Sequence, residues 1–192
     1  MKKSFFVLPI LMFIVMTMAE ADEWKFDKVH SSVTFTIRHM VISEVVGRFD
    51  DSDVKFISSK DDFTDASIEA VIKVNSINTG VERRDIHLKS DDFFNAEKFP
   101  EIRFKSTSVE KVGDNAYKIH GDLTIRDITK PVTFDATLFG TIKTQQGNRA
   151  GWKVTIALNR FDYGLKWSQT IETGGLVAGD IVNITVNAEI TK

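Results

Sequence analysis

The sequence predicts an all-β fold, most simply an antiparallel barrel, for a chain of 192 residues. Apolar and polar residues alternate with a period of two through most of the chain, as in strands that have one dry and one solvated face. Short segments rich in Gly, Asp, Asn and Gln separate the alternating runs, and several have hairpin length. No long helical pattern is available to cover an open sheet. We therefore prefer a barrel, which leaves no exposed edges, over a sandwich.

Seven alternating runs predict strands. They are residues 33–38, 68–74, 102–105, 117–125, 132–138, 152–158 and 182–190. The run from Val33 to Arg38 shows the pattern, because Val33, Phe35 and Ile37 fall on one face and threonines fall on the other. Turn signals stand at 113–115, 145–148 and 174–175. The regular spacing predicts seven or eight strands joined mainly by hairpins.

Two segments break the alternation. Residues 82–88 contain good helix formers and predict one short helix. Residues 165–180 are longer and richer in Gly than a hairpin turn needs, and they carry Trp167. We interpret this second segment either as a mobile lid over one end of the barrel or as an ordinary surface loop.

The first 21 residues predict a secretory signal peptide. Lys2 and Lys3 give a positive start, an almost wholly apolar run follows, and Ala19 and Ala21 occupy the two positions that a signal peptidase reads. The run is shorter than the roughly 20 residues of a membrane span, which favours cleavage after Ala21 over an uncleaved anchor. No cysteine follows the run, so a lipoprotein anchor is excluded.

Residues 22–192 are expected to form one domain without stable membrane insertion. Removing 21 of the 192 residues leaves 171, which is enough for one hydrophobic core. The net charge of −2 for the whole chain argues against a nucleic-acid surface. The absence of cysteine excludes thiol nucleophiles, thiolate metal sites and covalent haem attachment. An excess of Phe, 15 against 2 Tyr, suits a dry interior.

A series of spaced motifs runs through nearly all of residues 22–192. They are Trp24, Asp27, His30-Ser31, Val33, Phe35, His39, Gly47-x-Phe49, Ser76-Ile77, Thr79, Arg84-Asp85-x-His87-Leu88, Asp92-Phe93-Phe94, Pro100, Phe104, Ser106, Gly121-x-Leu123-Thr124-Ile125, Lys130-Pro131-Val132 and Arg160-x-Asp162-Tyr163-Gly164. Together these motifs resemble the YceI-like family of bacterial polyisoprenoid-binding proteins. Two positions depart from the family pattern. Asp127 stands where a glycine is common, and Tyr163 replaces the usual Phe.

The resemblance implies an eight-stranded, lipocalin-like antiparallel barrel that is exported to the periplasm and holds a long isoprenoid or related lipid. No other cofactor is expected, and self-association into a homodimer is left open. The candidate ligand-binding residues are the apolar faces of the strands together with a polar cluster and an aromatic pair. They are Val33, Phe35, Ile37, Ile68, Ile72, Arg84, Asp85, His87, Phe93, Phe94, Ile102, Phe104, Leu123, Phe134, Leu138, Val154 and Ile156. On residue pattern alone, a solid core is the preferred interpretation of the same apolar faces, and the resemblance reverses that preference.

The polar cluster and the aromatic pair each have a structural alternative. Arg84, Asp85 and His87 either form a polar mouth, in which Arg84 suits a phosphate, or hold the helix to the barrel through ion pairs and caps. Phe93 and Phe94 either gate the barrel or anchor their loop. Adjacent side chains of an extended segment point in opposite directions, so one of the two is expected to face the interior.

The sequence gives no specific signal for catalysis or for a metal site. None of the histidine pairs has a recognised ligand spacing, and no nucleophile elbow is present. Three functions remain. The first is a periplasmic lipid carrier, and the second is an enzyme or accessory factor acting on isoprenoid quinones or their precursors. The third is a solid-core barrel whose outer surface binds protein partners.

Overall fold

The computed structural model describes residues 22–192, and the predicted signal peptide lies outside this part of the chain. Eleven strands and one helix alternate with loops. The strands are β1 (Glu23–Phe26), β2 (Ser32–His39), β3 (Ser43–Phe49), β4 (Ser52–Ile57), β5 (Ser67–Lys73), β6 (Ile77–Asn78), β7 (Glu101–Lys111), β8 (Ala116–Ile125), β9 (Ile128–Thr144), β10 (Gly147–Asn159) and β11 (Ala178–Thr191). The helix α1 (Glu82–Lys89) follows β6.

The strands form a closed antiparallel barrel of eight positions. Three positions are each filled by two consecutive strands separated by a break, namely β1 with β2, β3 with β4, and β5 with β6. The barrel then continues through β7, β8, β9 and β10 to β11, which pairs with both β1 and β2 and closes the ring. The predicted eight-stranded barrel with one short helix is confirmed.

The strand breaks explain where the predicted strands differ from the observed ones. β1, β3, β4 and β6 contain between two and seven residues, too few for a clear alternating pattern.

The β8–β9 hairpin, in which Asp127 stands where the family commonly has a glycine, forms with Ile125 opposite Ile128. Its left-handed position is taken by Arg126, with φ of 56°, so the turn needs no glycine at Asp127.

One end of the barrel is closed by the segment between β4 and β5, residues 58–66. Phe63 turns inward from this segment with only 1% of its surface exposed. Its ring makes edge contacts with Trp24, Phe56 and Trp152 at centroid distances of 5.4, 5.8 and 5.3 Å. Asp65 fixes the segment, because its carboxylate accepts hydrogen bonds from the Ser59 amide and from the hydroxyls of Ser58 and Ser59.

Burial pulls the pKa of Asp65 upward, but the hydrogen bonds from Ser58, Ser59 and the Lys60 amide outweigh it and hold the pKa well below its usual value. The opposite end of the barrel is where β2 and β10 end and β11 begins, and α1 lies beside it. We call this end the mouth. Within residues 22–192, no helix combines the length and the hydrophobicity required to cross a bilayer.

Candidate functional site

The barrel interior contains a cavity of about 410 Å³ that extends from Phe63 to the mouth. This volume is within the range of small-molecule sites in proteins. The cavity is lined by side chains from strands around the whole barrel and by residues of α1 and the loops at the mouth. The interior is therefore a site large enough for a ligand, not the solid core that the residue pattern alone favoured.

Most of the candidate residues surround this cavity. Those that line it are Val33, Phe35, Ile37, Ile68, Ile72, Arg84, His87, Phe93, Phe94, Ile102, Phe104, Leu123, Phe134 and Val154. Three candidates do not. Leu138 and Ile156 pack against the buried cluster around Trp152 instead, and Asp85 faces a polar groove on the outer side of α1. Contact with a ligand stays a prediction for the residues that line the cavity.

Two glycines make room for phenylalanine rings inside the barrel. A β-carbon on Gly47 would lie 2.2 Å from the ring of Phe35, the residue opposite it in the β2–β3 pair. A β-carbon on Gly121 would lie 2.6 Å from the ring of Phe104. The far end of each ring therefore occupies the space next to a glycine on the neighbouring strand, where a β-carbon would collide with it. A larger residue at either position would push the ring toward the cavity.

The charged residues of the cavity lining are all basic and all lie at the mouth. Arg38 is near the end of β2, Arg84 is on α1, and Arg160 directly follows β10. His39 and His87 lie at the same end. None of the described lining residues is Asp, Glu, Lys, Ser or Cys. The cavity thus has an apolar body and an opening that favours a polar or negatively charged group.

Arg84 and Asp85 join α1 to the strand end before it. The Thr79 amide and hydroxyl donate hydrogen bonds to Asp85 Oδ1 at 2.9 and 2.6 Å. Arg84 donates from Nε to the Thr79 hydroxyl at 2.7 Å and from Nη2 to the Thr79 carbonyl at 2.9 Å. Both charged side chains bind Thr79, so they attach the helix by hydrogen bonds and not by the ion pair and caps that the structural alternative proposed. Arg84 lines the cavity as well, so the two interpretations are compatible at that residue.

His87, Phe93 and Trp167 form an aromatic cluster at the mouth. The His87 ring makes edge contacts with Phe93 and Trp167 at 5.1 and 5.5 Å, and its Nε2 lies 2.8 Å from Asp92 Oδ2. Phe94 contacts Phe49 of β3 at 6.1 Å. Both Phe93 and Phe94 line the cavity. The expectation that only one would face the interior is wrong, because residues 91–94 form a turn and not an extended segment.

Arg160 organises the long loop of residues 164–177. Its side chain is only 4% exposed and donates hydrogen bonds to the carbonyls of Leu165, Trp167, Ala178 and Gly179, at 2.6 to 3.0 Å. Burial lowers the pKa of its guanidinium, although the nearby Asp180 acts in the opposite direction. These carbonyls belong to both ends of the loop. One side chain therefore fixes the loop across the mouth, and Trp167 and Val177 of this loop line the cavity.

Two buried polar atoms among the described residues have no hydrogen-bond partner, the indole nitrogen of Trp152 and the hydroxyl of Tyr163. Burial, with a smaller effect of Asp162, raises the pKa of Tyr163. Tyr163 is the position at which the sequence departs from the family's usual Phe. The departure adds a hydroxyl to a residue of the cavity lining without adding a protein partner for it among the described residues.

Outside the cavity, the fold brings together three groups that could coordinate a metal, although the sequence gives no such signal. One ligand atom each of Asp27, His30 and Glu189 lies within 4.8 Å of the others. Arg149 already pairs with Glu189 at 2.5 Å and with Asp27 at 3.4 Å. A hydrogen bond to Asp27 raises the pKa of His30. The cluster is therefore balanced internally by a guanidinium.

Sequence reasoning missed Phe63 and the role of Arg160. Phe63 is a single apolar residue in a polar segment, so periodicity gives it no weight. Arg160 appeared only as part of a motif, yet an arginine beside aromatic residues after a predicted strand was a signal that a buried guanidinium was present. Trp167 was noted only as a loop residue, although a Trp in a Gly-rich loop indicates an anchor to a core.

Comparison with known proteins agrees with this architecture. A UPF0312 protein of Staphylococcus aureus (strain N315) is 40% identical over 168 residues, which cover 86% of this chain and 95% of that protein. A crystal structure of a YceI protein from Campylobacter jejuni has a TM-score of 0.70 at 29% identity, covering 81% of this chain and 90% of that chain.

Two further solved structures share the fold at lower identity. Burkholderia cenocepacia BcnA has a TM-score of 0.73 at 20% identity and covers 85% of this chain and 98% of its own. A polyisoprenoid binding domain from Saccharophagus degradans has a TM-score of 0.64 at 15% identity, with 88% and 97% covered. Residues 24–190 match the YceI-like domain. The chain therefore belongs to the YceI-like family.

Proposed function

We propose that this protein is an exported carrier that holds a long isoprenoid or similar lipid inside its barrel. The observation that carries the proposal is the cavity of about 410 Å³, whose body is apolar and whose charged lining residues, within residues 22–192, are basic groups at the mouth. A polyisoprenoid binding domain of the same fold supports the ligand class. The predicted signal peptide supports a periplasmic location.

The apolar body can supply the affinity that a carrier needs. Each buried methylene contributes about 0.8 kcal/mol, so some twenty of them would contribute roughly 16 kcal/mol before costs. Loss of translational freedom and ordering of the chain remove a large part of this, about 4 to 15 kcal/mol. The remainder favours retention without specific polar contacts. Selectivity then depends on chain length and cavity shape, since an apolar pocket discriminates single methylenes weakly.

The mouth supplies the orientation. An apolar chain in the barrel would place its polar end near Arg38, Arg84 and His87, where a phosphate or carbonyl oxygen could accept hydrogen bonds. Arg84 donates from Nε and Nη2 to Thr79. Its Nη1 has no hydrogen-bond partner among residues 22–192 and could donate to the head group. We therefore propose head-outward binding, with Phe63 next to the end of the chain.

Binding is a better proposal than catalysis for this site. Catalysis on an isoprenoid quinone or its precursor would require a nucleophile or an acid–base pair at the reacting atoms. The described lining has no carboxylate and no Ser, Cys or Lys side chain; its hydroxyls are those of Thr34, Thr79 and Tyr163, and its two histidines lie at the mouth. The family membership and the fold of a polyisoprenoid binding domain also favour a binding role.

The test is native mass spectrometry of protein purified from the periplasm of a bacterial host, followed by organic extraction and fragmentation. The expected result is a stoichiometric adduct of lipid mass. Val154→Trp adds bulk inside the cavity and should abolish the adduct. Ala157→Trp places the same indole at an exposed position of β10 and should leave the adduct unchanged. Lipid-free protein that also fails to take up long isoprenoids from detergent would refute the proposal.

A further inference from the structure

We propose that the rim of the mouth is a docking surface for a lipid bilayer, through which the cavity is loaded and unloaded. This inference rests on the proposed function. We define the rim as the β2–β3 hairpin tip, Met40 to Ile42, and the outward residues Val81 and Ile86 at α1.

The rim exposes apolar side chains on two separate elements beside one opening. Ile42 is 84% exposed and Val41 is 57% exposed on the hairpin tip, while Ile86 is 62% and Val81 is 48% exposed at α1. The tip directly follows His39, which lines the cavity, and α1 contributes Arg84, His87 and Leu88 to the same lining. The apolar surface of the rim therefore lies beside the mouth, through which a ligand would enter the cavity.

The residues of the tip oppose local folding preferences. Met40 and Val41 adopt φ of 49° and 67°, a left-handed conformation that Gly and Asn accept and that is rare for a β-branched residue. A turn selected for solubility and stability would carry polar residues and glycine here. Apolar side chains in this conformation at high exposure indicate a role that folding alone does not require.

The tip is also connected to the loop over the cavity. The Met40 amide donates to the Val177 carbonyl at 2.9 Å. The Val41 side chain lies so close to Gly175 that a β-carbon there would be 2.6 Å from it. Val177 and Trp167 of this loop line the cavity. The hairpin tip therefore contacts the loop that lies over the cavity, so a displacement of the tip would move this loop.

A bilayer fits this surface better than a protein does. The rim offers five apolar side chains, whereas a standard protein interface uses about 20 to 30 residues on each side. The rim residues themselves carry no charge, and two ion pairs near the mouth, Arg38–Glu44 at 3.7 Å and Lys130–Asp162 at 3.4 Å, neutralise charges beside them. A small uncharged apolar surface of this kind inserts shallowly into the bilayer interface. The cargo itself is soluble only in a lipid phase.

The experiment measures transfer of a fluorescent long-chain polyprenol from the loaded full barrel to vesicles of phosphatidylethanolamine and phosphatidylglycerol. The tip variant combines Val41→Asn, which suits the left-handed position, with Ile42→Ser. The control variant combines Phe139→Ser with Ile142→Ser, exposed residues of β9 toward the closed end. Loading from detergent should be equal for all three proteins, because none of the changes touches the cavity lining.

Transfer should slow by about tenfold or more in the tip variant and stay unchanged in the control variant, because docking strength scales with the apolar area buried. Co-flotation with vesicles should likewise be weakened in the tip variant and unchanged in the control variant. Equal transfer rates in the tip variant and the unchanged protein would overturn the inference. The inference would also be overturned if the unchanged protein sedimented as a dimer and only the tip variant as a monomer, because the rim would then join two copies of the chain. If no protein loads the polyprenol, the proposed function fails, and co-flotation still decides on docking.

Discussion

Substituting Phe63 by Ala should destabilise the barrel more than any other single change at its closed end. The ring is 1% exposed and makes three edge contacts with Trp24, Phe56 and Trp152. Deleting a buried Phe ring costs about 3 to 5 kcal/mol through lost transfer energy and the space left behind. The positive φ of 57° does not change this figure, because alanine is disfavoured there as phenylalanine is.

Thermal unfolding by calorimetry measures the effect. For a domain of this size, 1 kcal/mol corresponds to about 2 to 4 °C, so a loss of about 4 kcal/mol lowers Tm by about 8 to 16 °C. Phe139→Ala, at a residue that is 67% exposed, should change stability by less than about 0.5 kcal/mol. The urea midpoint of the Phe63 variant should fall without a change of slope.

A Phe63→Ala variant that lost less than about 2 °C would refute this reasoning. It would mean that residues 58–66 do not close the barrel end in solution, and that the three aromatic contacts contribute little. Under that result the cavity would be open at both ends. The length of lipid retained would then be set by something other than Phe63.

Three further predictions concern the charged groups. Asp65→Asn should destabilise by about 1 to 2 kcal/mol near neutral pH, a figure reduced for solvent exposure. Because the folded pKa of Asp65 is lowered, its contribution is present above pH 3.8 and is lost as the pH falls through the folded value, so unfolding curves of the two proteins should converge in acid. For His30→Gln, the pH dependence of the stability difference should be reversed. The hydrogen bond to Asp27 raises the folded pKa of His30, so its contribution is complete below pH 6.5 and is lost as the pH rises, and a gap in Tm that widened with pH would contradict this. Arg160→Lys should speed proteolysis of residues 164–177 and lipid release, because an ammonium cannot donate to four separate carbonyls.

The barrel could be predicted from the sequence because its strands have one apolar face each. The period of two in residues 33–38, 117–125 and 182–190 survives in β2, β8 and β11. The breaks between β1 and β2 and between β3 and β4 could not be predicted, because a break is set by the pairing partners and not by the segment itself. β11 supplies that constraint by pairing with both β1 and β2.

The lining of the cavity could be predicted only in part, for a related reason. Periodicity shows which face of a strand points inward but not how much space lies in front of it. Ile156 alternates in phase with Val154 on β10 and both pack against the buried cluster, yet only Val154 lines the cavity. The cavity wall is therefore a three-dimensional property. Asp85 shows the same limit on a helix, since its neighbour Arg84 faces the cavity and Asp85 faces away.

The two ends of the barrel are stabilised by different forces, and this difference has a functional consequence. The closed end depends on aromatic packing around Phe63, which is part of the folded core. The mouth also has aromatic packing, of Phe93 with His87 and Trp167, but its loops are held in addition by guanidinium groups that donate to main-chain carbonyls, Arg84 at Thr79 and Arg160 at the long loop. Hydrogen bonds of this kind fix loops without filling the space beneath them, so the cavity can be empty or occupied. Of the two variants, Phe63→Ala should therefore give the larger decrease in Tm. Arg160→Lys should give the larger increase in the rate of lipid release. If both variants changed the two quantities in the same proportion, the ends would form one cooperative unit and this division would be wrong.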